Sequence, residues 1–355
     1  MTPPPIPQRT SLVAETVRVL RAALLSGRWQ EHLPGERRLC DEWHISRPTL
    51  RAAVSALAAE GLLSVAHGRP TRVHVPEAGA KAAPETLSVG LLSPEPLHAM
   101  PPFALLWLDE LRGRLAAAGH LLQVHVGRSW SAGKNPARAL AALTAGASSA
   151  TWVLYRSTEA MQRWFEEKQV PCVIVGSPFD GIRLPSVDRD YRAVCRHAVG
   201  VLRARGHERI ALLIQQPRYA GDRESEAGFL EGVQAVPKGA LSGGILHHDG
   251  TRAGLLQTLE RMLQARARPT GLVIAHSACA LTACTALQQR GLRIPGDIGI
   301  ICRDDDLFLD EMVPSIARYS VAPKIFAGHI FRLVQQPGGK GDIKVMPEFL
   351  KRESL

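Results

Sequence analysis

The sequence predicts a mixed α/β protein, in which a small N-terminal winged helix-turn-helix domain precedes a larger domain of two lobes, each with a doubly wound parallel sheet. Three observations predict this class. Residues 11–76 contain three short helical patterns and then two extended runs. From residue 87 onward, near-continuous apolar strands alternate with helices, which is typical of parallel sheets covered on both faces. Residues 77–86 are small, polar and proline-bounded, as expected of a linker.

Three helices are predicted in the small domain from apolar residues at three- and four-residue spacing. The first covers residues 12–26 and the second covers residues 36–43. The third begins after Ser46, which is a good N-cap, with Pro48 in its first turn. Its predicted buried stripe comprises Leu50, Val54, Leu57 and Ala58.

The exposed face of the third helix begins with Arg47, Thr49 and Arg51, and residues 44–59 contain no acid. This end of the helix can therefore enter the negative field of a DNA major groove. Beyond Gly61, two extended runs at 62–66 and 71–75 predict a hairpin whose tip carries a glycine and an arginine. Such a wing contacts the phosphate backbone or the minor groove. The alternative is a helical pair with a solvated basic face.

This segment resembles the GntR-type winged helix. The family pattern is present as L-P-x-E-R-x-L at 33–39, S-R-x-T-L-R-x-A at 46–53, E-G-L-L at 60–63 and H-G-R-x-T at 67–71. The resemblance implies contacts to double-stranded operator DNA from Arg37, Ser46, Arg47, Thr49, Arg51, His67, Gly68 and Arg69. Pro48 departs from the family pattern, and because a proline cannot donate a hydrogen bond, the base preference at that step stays open.

Length and charge agree with two domains and a polyanionic partner. The chain has 355 residues and a formal net charge of +10, with a pI near 9.7. Residues 1–78 contain ten basic and seven acidic residues, a net charge of +3, so the remainder carries +7. The excess of positive charge is therefore not concentrated in the predicted DNA-binding domain.

Cysteine usage and the amino terminus predict a cytoplasmic protein. The six cysteines are scattered, and no C-x-x-C pair occurs, which disfavours a disulfide framework or a metal site. Residues 1–10 are proline-rich, are expected to form a mobile tail, and lack an apolar signal core. No membrane span is predicted. We therefore predict DNA-binding and small-molecule partners and no membrane partner.

The larger domain, predicted at residues 87–355, shows two runs of strand–helix alternation. The predicted strands lie at 87–93, 121–127, 151–155, 171–176, 209–214, 243–248, 271–275 and 298–302, and the helices at 103–119, 136–144, 159–168, 191–205, 223–236, 251–266 and 278–290. The two runs indicate two doubly wound lobes. A ligand is expected in the crevice at the carboxyl ends of the strands.

Several phrases make this domain similar to the LacI-type effector domain, which has a periplasmic binding protein-like fold. They occupy residues 186–213, 223–233, 268–306 and 347–355, and the phrases G-H-x-x-I and G-x-x-x-P-x-D-I are the more specific ones. The resemblance implies a cleft that closes around a sugar or sugar derivative, and a homodimeric transcriptional regulator.

The resemblance also implies the effector-binding residues. Asp304 matches a family aspartate, and a carboxylate there can accept two hydrogen bonds from hydroxyl groups. The family's sugar-binding arginine falls on Ser225, so Arg223 is the substitute, and the family's Asn-Asp pair falls on His276 and Ser277. Ser93 follows the first strand and is expected to face the crevice. The predicted effector-binding set is Ser93, Arg223, Ser225, His276 and Asp304.

Less specific interpretations of these residues stay open. Arg223 can pair with Glu226, and Asp304 can belong to a solvated loop over residues 303–306. Asp190 matches a family aspartate whose expected role is to cap the following helix. His247 and His248 are adjacent on a strand and point to opposite faces, which disfavours a shared metal.

We find no catalytic motif such as G-x-S-x-G or H-E-x-x-H, and no lysine in a setting suited to pyridoxal phosphate. The prediction is therefore a non-enzymatic, ligand-responsive DNA-binding regulator, acting as a repressor, with no cofactor and no metal. Three alternatives remain: a regulator with a vestigial or non-sugar cleft, a sugar-binding protein, and an enzyme on the same scaffold.

Overall fold

The computed structural model describes residues 12–25, 28–29, 31–43, 45–65, 70–73, 87–130, 135–216, 219–237, 241–336 and 341–355. The predicted tail at 1–10, the predicted linker at 77–86, and the wing residues His67, Gly68 and Arg69 lie outside these ranges. The chain divides into two compact units, residues 1–85 and 86–355.

The first unit contains three helices and a two-stranded ladder. Its elements are α1 (Leu12–Leu25), α2 (Glu36–Trp43), α3 (Arg47–Ala59), β1 (Leu63–Ser64) and β2 (Arg72–Val73). The strands β1 and β2 are antiparallel, with Leu63 opposite Val73. Backbone hydrogen bonds from Leu33 to Thr71 and from Val73 to Glu31 add a third segment to this ladder. The helix-turn-helix and the base of the predicted wing are therefore present.

The core of this unit forms where α1 and α3 pack against the ladder. Leu20, Leu57 and Val73 belong to one apolar cluster, and Leu39 and Leu50 belong to a second one under α2. The buried stripe of α3 differs slightly from the prediction, since its fully buried residues are Leu50, Ala53 and Leu57, whereas Val54 and Ala58 are half-buried. The opposite face of α3 stays exposed.

The second unit contains twelve strands and eight helices in the ranges that the structure describes. The helices are α4 (Pro102–Ala117), α5 (Pro136–Gly146), α6 (Glu159–Glu167), α7 (Tyr191–Ala204), α8 (Ala220–Gln234), α9 (Arg252–Gln264), α10 (Ser277–Gln289) and α11 (Pro323–Val334). The strands are β3 (Ser88–Ser93), β4 (Leu121–Val126), β5 (Thr151–Tyr155), β6 (Cys172–Val175), β7 (Ser186–Arg189), β8 (Arg209–Gln215), β9 (Ser242–His248), β10 (Gly271–Ile274), β11 (Gly299–Cys302), β12 (Ala317–Ser320), β13 (Asp342–Val345) and β14 (Glu348–Leu350).

Two six-stranded sheets define two lobes. The first lobe has the order β13-β7-β6-β5-β3-β4, and the second has the order β14-β12-β11-β10-β8-β9. Every pairing is parallel except the edge pairing of β12 with β14. Helices cover both faces of each sheet: α4 and α11 face α5 and α6 across the first sheet, and α9 and α10 face α7 and α8 across the second. The two-lobed, doubly wound prediction is confirmed.

The lobes are not two simple sequential halves, because the carboxyl-terminal part of the chain returns to the first lobe. Helix α11 packs on α4 through Phe326 and Ile330, and β13 pairs with β7 at the edge of the first sheet. The strands β7, β12, β13 and β14 and the helix α11 are not among the predicted elements. The missed strands have no more than four residues each, and β7 and β13 contain charged residues, so no apolar run marks them.

Helix α8 packs closely against α7 because of one glycine. A Cβ atom at Gly228 would lie 2.0 Å from the carbonyl oxygen of Arg192, so only a residue without a side chain fits at this crossing. Among the described residues, no helix is both long and apolar enough to cross a membrane.

Candidate DNA interface and effector cleft

The start of α3 is held by its own cap. Ser46 has an extended backbone, and its Oγ accepts a hydrogen bond from the Thr49 amide at 3.3 Å. The hydroxyls of Ser46 and Thr49 lie 2.8 Å apart. Both predicted DNA-contact residues therefore already have a local structural role. The two hydroxyls lie at the amino end of α3. At a helix amino terminus, backbone N–H groups and side-chain donors can form hydrogen bonds with an anion such as a phosphate.

The predicted contact arginines lie on the surface of the first unit. Arg37, Arg47 and Arg51 are exposed. Arg51 donates from Nε to both carboxylate oxygens of Glu36 at 3.0 and 3.1 Å, and this hydrogen bond holds the pKa of Glu36 below its ordinary value. Because both side chains are exposed to solvent, this ion pair contributes little to stability. The phosphates of a duplex can therefore replace Glu36 as the partner of Arg51.

The ladder beside α3 carries a further exposed cation, Arg72 on β2. His67, Gly68 and Arg69 fall outside the described residues, so their DNA contacts stay predictions. Arg37 lies in the first turn of α2, and Ser46, Arg47, Thr49 and Arg51 lie at the start of α3. Thr49 is half-buried, and the other four side chains are exposed.

In the second unit, a cavity lies at the carboxyl ends of the strands. Its walls include residues that follow β5, β6 and β7 in the first lobe, and residues that follow β8, β10 and β11 in the second. Aromatic side chains from α4 and α11, including Phe103, Trp107 and Phe326, complete the first-lobe side. The volume is about 150 Å³, the scale of a cavity that accepts a single-ring ligand. The cavity thus lies at the position where open α/β sheets generally bind their ligands.

Arg303 is the central buried charge of this cavity. Its side chain is 2% exposed, and it donates from Nη1 to Ser225 Oγ at 2.7 Å and to Asp222 Oδ1 at 3.3 Å. Its guanidinium also lies 4.1 Å from the centre of the Tyr191 ring. The interpretation of residues 303–306 as a solvated loop is therefore wrong, since Arg303 and Asp306 are buried.

Asp304 forms ion pairs with an arginine from each lobe. Its Oδ1 lies 3.2 Å from Nη2 of Arg189 and 3.3 Å from Nε of Arg303, and its Oδ2 lies 3.1 Å from Nδ1 of His276. Burial by itself would raise the pKa of Asp304, but the two guanidiniums and the hydrogen bond with His276 outweigh it and hold the pKa below its ordinary value. Asp304 is therefore a fixed carboxylate anion.

Two first-lobe arginines face the same cavity. The guanidinium carbon of Arg189 lies over the rings of Phe103 and Tyr191, at 4.8 and 4.9 Å from their centres, and Arg189 donates to the Tyr191 hydroxyl. Arg156 donates from Nη1 to both oxygens of Glu95, at 2.7 and 2.8 Å, and lies over the Tyr219 ring. These aromatic contacts orient both guanidiniums.

The structure separates the predicted effector residues into two groups. His276 and Asp304 line the cavity. Ser93 is fully buried, and its hydroxyl donates to the Glu95 carbonyl oxygen at 2.7 Å, so it shapes a turn outside the lining. Ser225 is also fully buried and is not a lining residue; its hydroxyl contacts the lining residues Arg303 and Gly221.

Arg223 lies away from the lining. It is exposed, and its guanidinium is 5.1 Å from the centre of the Phe179 ring. The alternative pairing with Glu226 is not seen either, since Glu226 accepts from His247 at 2.6 Å. His248 is buried on the opposite side of the strand from His247. Within the described ranges, no group of three or more His, Cys, Asp or Glu side chains is placed to hold a metal ion.

Asp190 caps α7, as predicted from its position, by accepting from the Ala193 amide at 2.9 Å. The neighbouring cavity residues Arg189 and Tyr191, and Arg156 after β5, were missed. Their signal in the sequence is the position of a charged or aromatic residue directly after a buried strand. β7 was not recognised as a strand, so this signal was not visible at Arg189.

Comparison with known proteins matches part of each unit to a family model. Residues 12–73 match the family model of bacterial regulatory proteins of the gntR family, and residues 186–353 match the model of the periplasmic binding protein-like domain.

Individual relatives are regulators. An HTH-type transcriptional regulator from the aml 5′ region of Streptomyces limosus is 26% identical over 200 residues, which are 53% of this chain and 55% of that protein. The HTH-type transcriptional repressor PurR of Aliivibrio salmonicida is 31% identical over 100 residues, 28% of this chain and 30% of that protein. The chain thus spans about half of the first relative and less of the second.

A solved LacI family transcriptional regulator from Enterococcus faecium, with bound ribose, superposes with a TM-score of 0.60. It shares 19% sequence identity, and the match covers 75% of this chain and 98% of that one. This likeness establishes the fold of the second unit.

Proposed function

We propose that this chain, which joins a gntR-family DNA-binding segment to a periplasmic binding protein-like domain, is a transcriptional regulator whose affinity for operator DNA depends on a small ligand bound between its two lobes. The observation that carries the proposal is the pairing of two sites in one chain. One is the exposed basic start of α3, and the other is the two-lobed cavity with buried polar side chains.

The DNA side of the proposal rests on accessible cations at the amino end of α3. Arg47 and Arg51 are exposed, and Arg51 has only a surface carboxylate as its partner among the described residues. Arginines at this end of a recognition helix reach base edges or phosphates in a major groove. Arg37 on α2 is positioned by the same motif to contact the backbone.

The ligand side rests on a cavity whose walls come from both lobes. A ligand that contacts Tyr155 and Arg156 on one side and His276 and Ser277 on the other stabilises the closed arrangement relative to the open one. A ligand that prefers one arrangement by about 3 kcal/mol changes operator affinity about a hundredfold. The ligand is a small molecule with the polarity of a sugar or sugar derivative.

The proposal includes three further properties. The protein acts in the cytoplasm, where operator DNA is present. It acts as a homodimer, because two winged domains read two half-sites whose spacing a closure of the lobes can change. It acts as a repressor, in line with the name of the PurR relative. No catalytic step is part of the proposal, since the relatives reported above are transcriptional regulators.

The experiment measures binding of the full chain to a labelled duplex from the region upstream of its own gene, by fluorescence anisotropy at two salt concentrations. We expect Arg47→Ala and Arg51→Ala, combined, to lower the affinity at least tenfold and to flatten the salt dependence. Arg18→Ala is the matched control, because Arg18 is 67% exposed on α1 and pairs with Glu15. Equal affinities of the double variant and the wild type would contradict the DNA-binding proposal.

A second candidate keeps the DNA reader and makes the cleft vestigial. It is favoured by Ser225, where the LacI-type pattern has its sugar-binding arginine. A thermal-shift screen separates the two, because a ligand at a hundred times its dissociation constant stabilises the domain by about 2.7 kcal/mol. Unfolding transitions that no small molecule shifts would favour the vestigial cleft.

A further inference from the structure

The cavity lining contains guanidinium donors that no acceptor of the described residues takes, and such donors suit an anionic ligand. Its most highly paired carboxylate is Asp304. Asp304 receives four contacts, from Arg189, His276 and, twice, Arg303. A carboxylate has about four lone-pair sites. Asp304 therefore has none left for the two ligand hydroxyls that the LacI-type resemblance implies.

The other aspartates of the lining also accept hydrogen bonds from within the protein, but fewer than Asp304. Asp188 accepts from Ser177 Oγ through Oδ2, and from the Arg189 amide through Oδ1. Asp305 accepts from Arg318 and Ser320 through its two oxygens. Asp222 accepts from Arg303 through Oδ1. In the described part of the chain, Oδ2 of Asp222 is the one lining carboxylate oxygen without a hydrogen bond.

The unused donors belong to Arg189 and Arg156. Arg189 uses Nη2 for Asp304 and Tyr191, and its Nε and Nη1 have no hydrogen bond among the described residues. Arg156 uses Nη1 for Glu95, and its Nε and Nη2 have none within the same ranges. Their side chains are 12% and 27% exposed, and both residues line the cavity.

Aromatic contacts within the protein orient both guanidiniums. Arg189 lies over the rings of Phe103 and Tyr191, and Arg156 lies over the ring of Tyr219. Arg156 also has a φ of +50°, a left-handed conformation that non-glycine residues adopt at a cost and that is concentrated at functional sites. The unused Nε and Nη2 of Arg156 lie on one edge of its guanidinium, which matches the paired oxygens of a carboxylate or phosphate. The unused Nε and Nη1 of Arg189 lie on different edges, so each can donate a separate hydrogen bond.

We infer that the effector carries an oxyanion group, a carboxylate or a phosphate, which Arg189 and Arg156 bind, so that the ligand is an acid or phosphate derivative of a small polyol and not a neutral sugar. The inference rests on the proposed function of the cavity as the effector site. Arg303 has a different role, because Ser225, Asp222 and Asp304 already accept hydrogen bonds from it. Arg303 positions the binding groups, and Arg189 and Arg156 contact the ligand.

The test measures binding to the full chain by calorimetry and thermal shift, with matched pairs of probes. These are galacturonate against galactose, glucuronate against glucose, and glucose 6-phosphate against glucose. Acetate and inorganic phosphate, at tens of millimolar, test the oxyanion group without its carbon scaffold. We expect the anionic member of at least one pair to bind at least tenfold more tightly than its neutral partner. Preference for a uronate indicates a carboxylate ligand, and preference for the phosphate ester indicates a phosphate ligand.

Variants assign the binding to the two arginines. We expect Arg189→Met to weaken binding of the preferred anion by about tenfold or more, and Arg156→Met to do the same, with Arg189→Lys intermediate because lysine keeps the charge and loses the planar fork. Arg112→Met, at a residue 71% exposed on α4, is the control and should bind like the wild type. The thermal midpoint without ligand shows whether each variant is folded, and Arg156→Met serves if Arg189→Met is not.

Two results would overturn the inference. One is tighter binding of a neutral sugar than of its acid or phosphate. The other is the absence of any stabilisation by every oxyanion probe, acetate and phosphate included. A neutral sugar that binds the cavity and changes operator affinity would refute the oxyanion inference and leave the proposed regulatory function intact.

Discussion

The Nη1 atom of Arg303 lies 2.7 Å from the hydroxyl oxygen of Ser225. Arg303 follows β11, whereas Ser225 belongs to α8, so the two residues are far apart in the sequence. Ser225 is the position at which the LacI-type pattern has its arginine, and here a guanidinium reaches the same place from another strand. A small hydroxyl residue at 225 leaves room for it. Arg303 therefore places a buried positive charge of the second lobe beside the cavity.

Replacement of Arg303 should strongly destabilise the second unit. In Arg303→Met, Asp222 and Asp304 lose a buried cationic partner, and breaking a buried pair in this way costs about 3–5 kcal/mol. Urea unfolding of the full chain measures the loss. Arg293→Met, at a residue whose side chain is 80% exposed, should leave the urea midpoint nearly unchanged, because an ion pair in solvent contributes little. Equal effects of the two substitutions would show that the Arg303 contacts are not formed.

Acid should destabilise the second unit through Asp304. Its native pKa is below its ordinary value of 3.8, so at acid pH the unfolded chain binds more protons than the native chain. The stability that Asp304 contributes is complete above about pH 4 and is lost as pH falls toward the lower native pKa. Urea midpoints at neutral pH and at successive pH values below 4 measure this. In Asp304→Asn the acid dependence should be weaker, whereas Asp109→Asn, at an exposed aspartate, should retain it.

Two glycines of adjacent helices should respond oppositely to alanine. Gly228→Ala places a methyl group 2.0 Å from the Arg192 carbonyl oxygen, so α7 and α8 must move apart, at a cost of about 1–3 kcal/mol or more. Gly200 lies in α7 with open space around its Cβ position, so Gly200→Ala should stabilise by about 0.5–1 kcal/mol through helix propensity. Thermal unfolding measures both. Similar signs for the two variants would contradict the close helix crossing.

The cap of α3 and its contact with DNA can be separated at Ser46. Ser46→Ala removes the hydrogen bond to the Thr49 amide and should lower the stability of the first unit by about 1 kcal/mol, detectable as faster amide exchange in α3. Ser46→Asp keeps a capping oxygen but places a negative charge near the phosphates, so it should preserve stability and weaken DNA binding. Ser55→Asp adds the same charge later in the helix and should weaken DNA binding less. Unchanged affinity for Ser46→Asp would place the DNA away from this end of α3.

The first unit was predictable because its signals are local. The N-cap at Ser46, the proline at position 48 and the apolar spacing through Leu57 act within one helix turn or two, and they predict the helix-turn-helix almost residue by residue. The two parallel sheets were predictable from continuous apolar strands for the same reason. The wing tip around His67 stays a prediction.

The cavity was less predictable because its contacts join distant parts of the chain. The pairing of Arg303 with Ser225, and of Asp304 with Arg189, depends on the order of strands in space, and sequence spacing contains no such information. The return of α11 and β13 to the first lobe was missed for the same reason. A resemblance assigned hydroxyl binding to Asp304, but the number of cations around it could be counted only in three dimensions.

The most direct test of the account measures the affinity of the full chain for its operator with and without a saturating small molecule that calorimetry shows to bind the cavity. Binding at the cavity is verified by its loss in Arg156→Met. The account predicts that the ligand changes the operator dissociation constant at least tenfold in wild-type protein and leaves it unchanged in that variant. A ligand that binds the cavity and leaves operator affinity unchanged would contradict it.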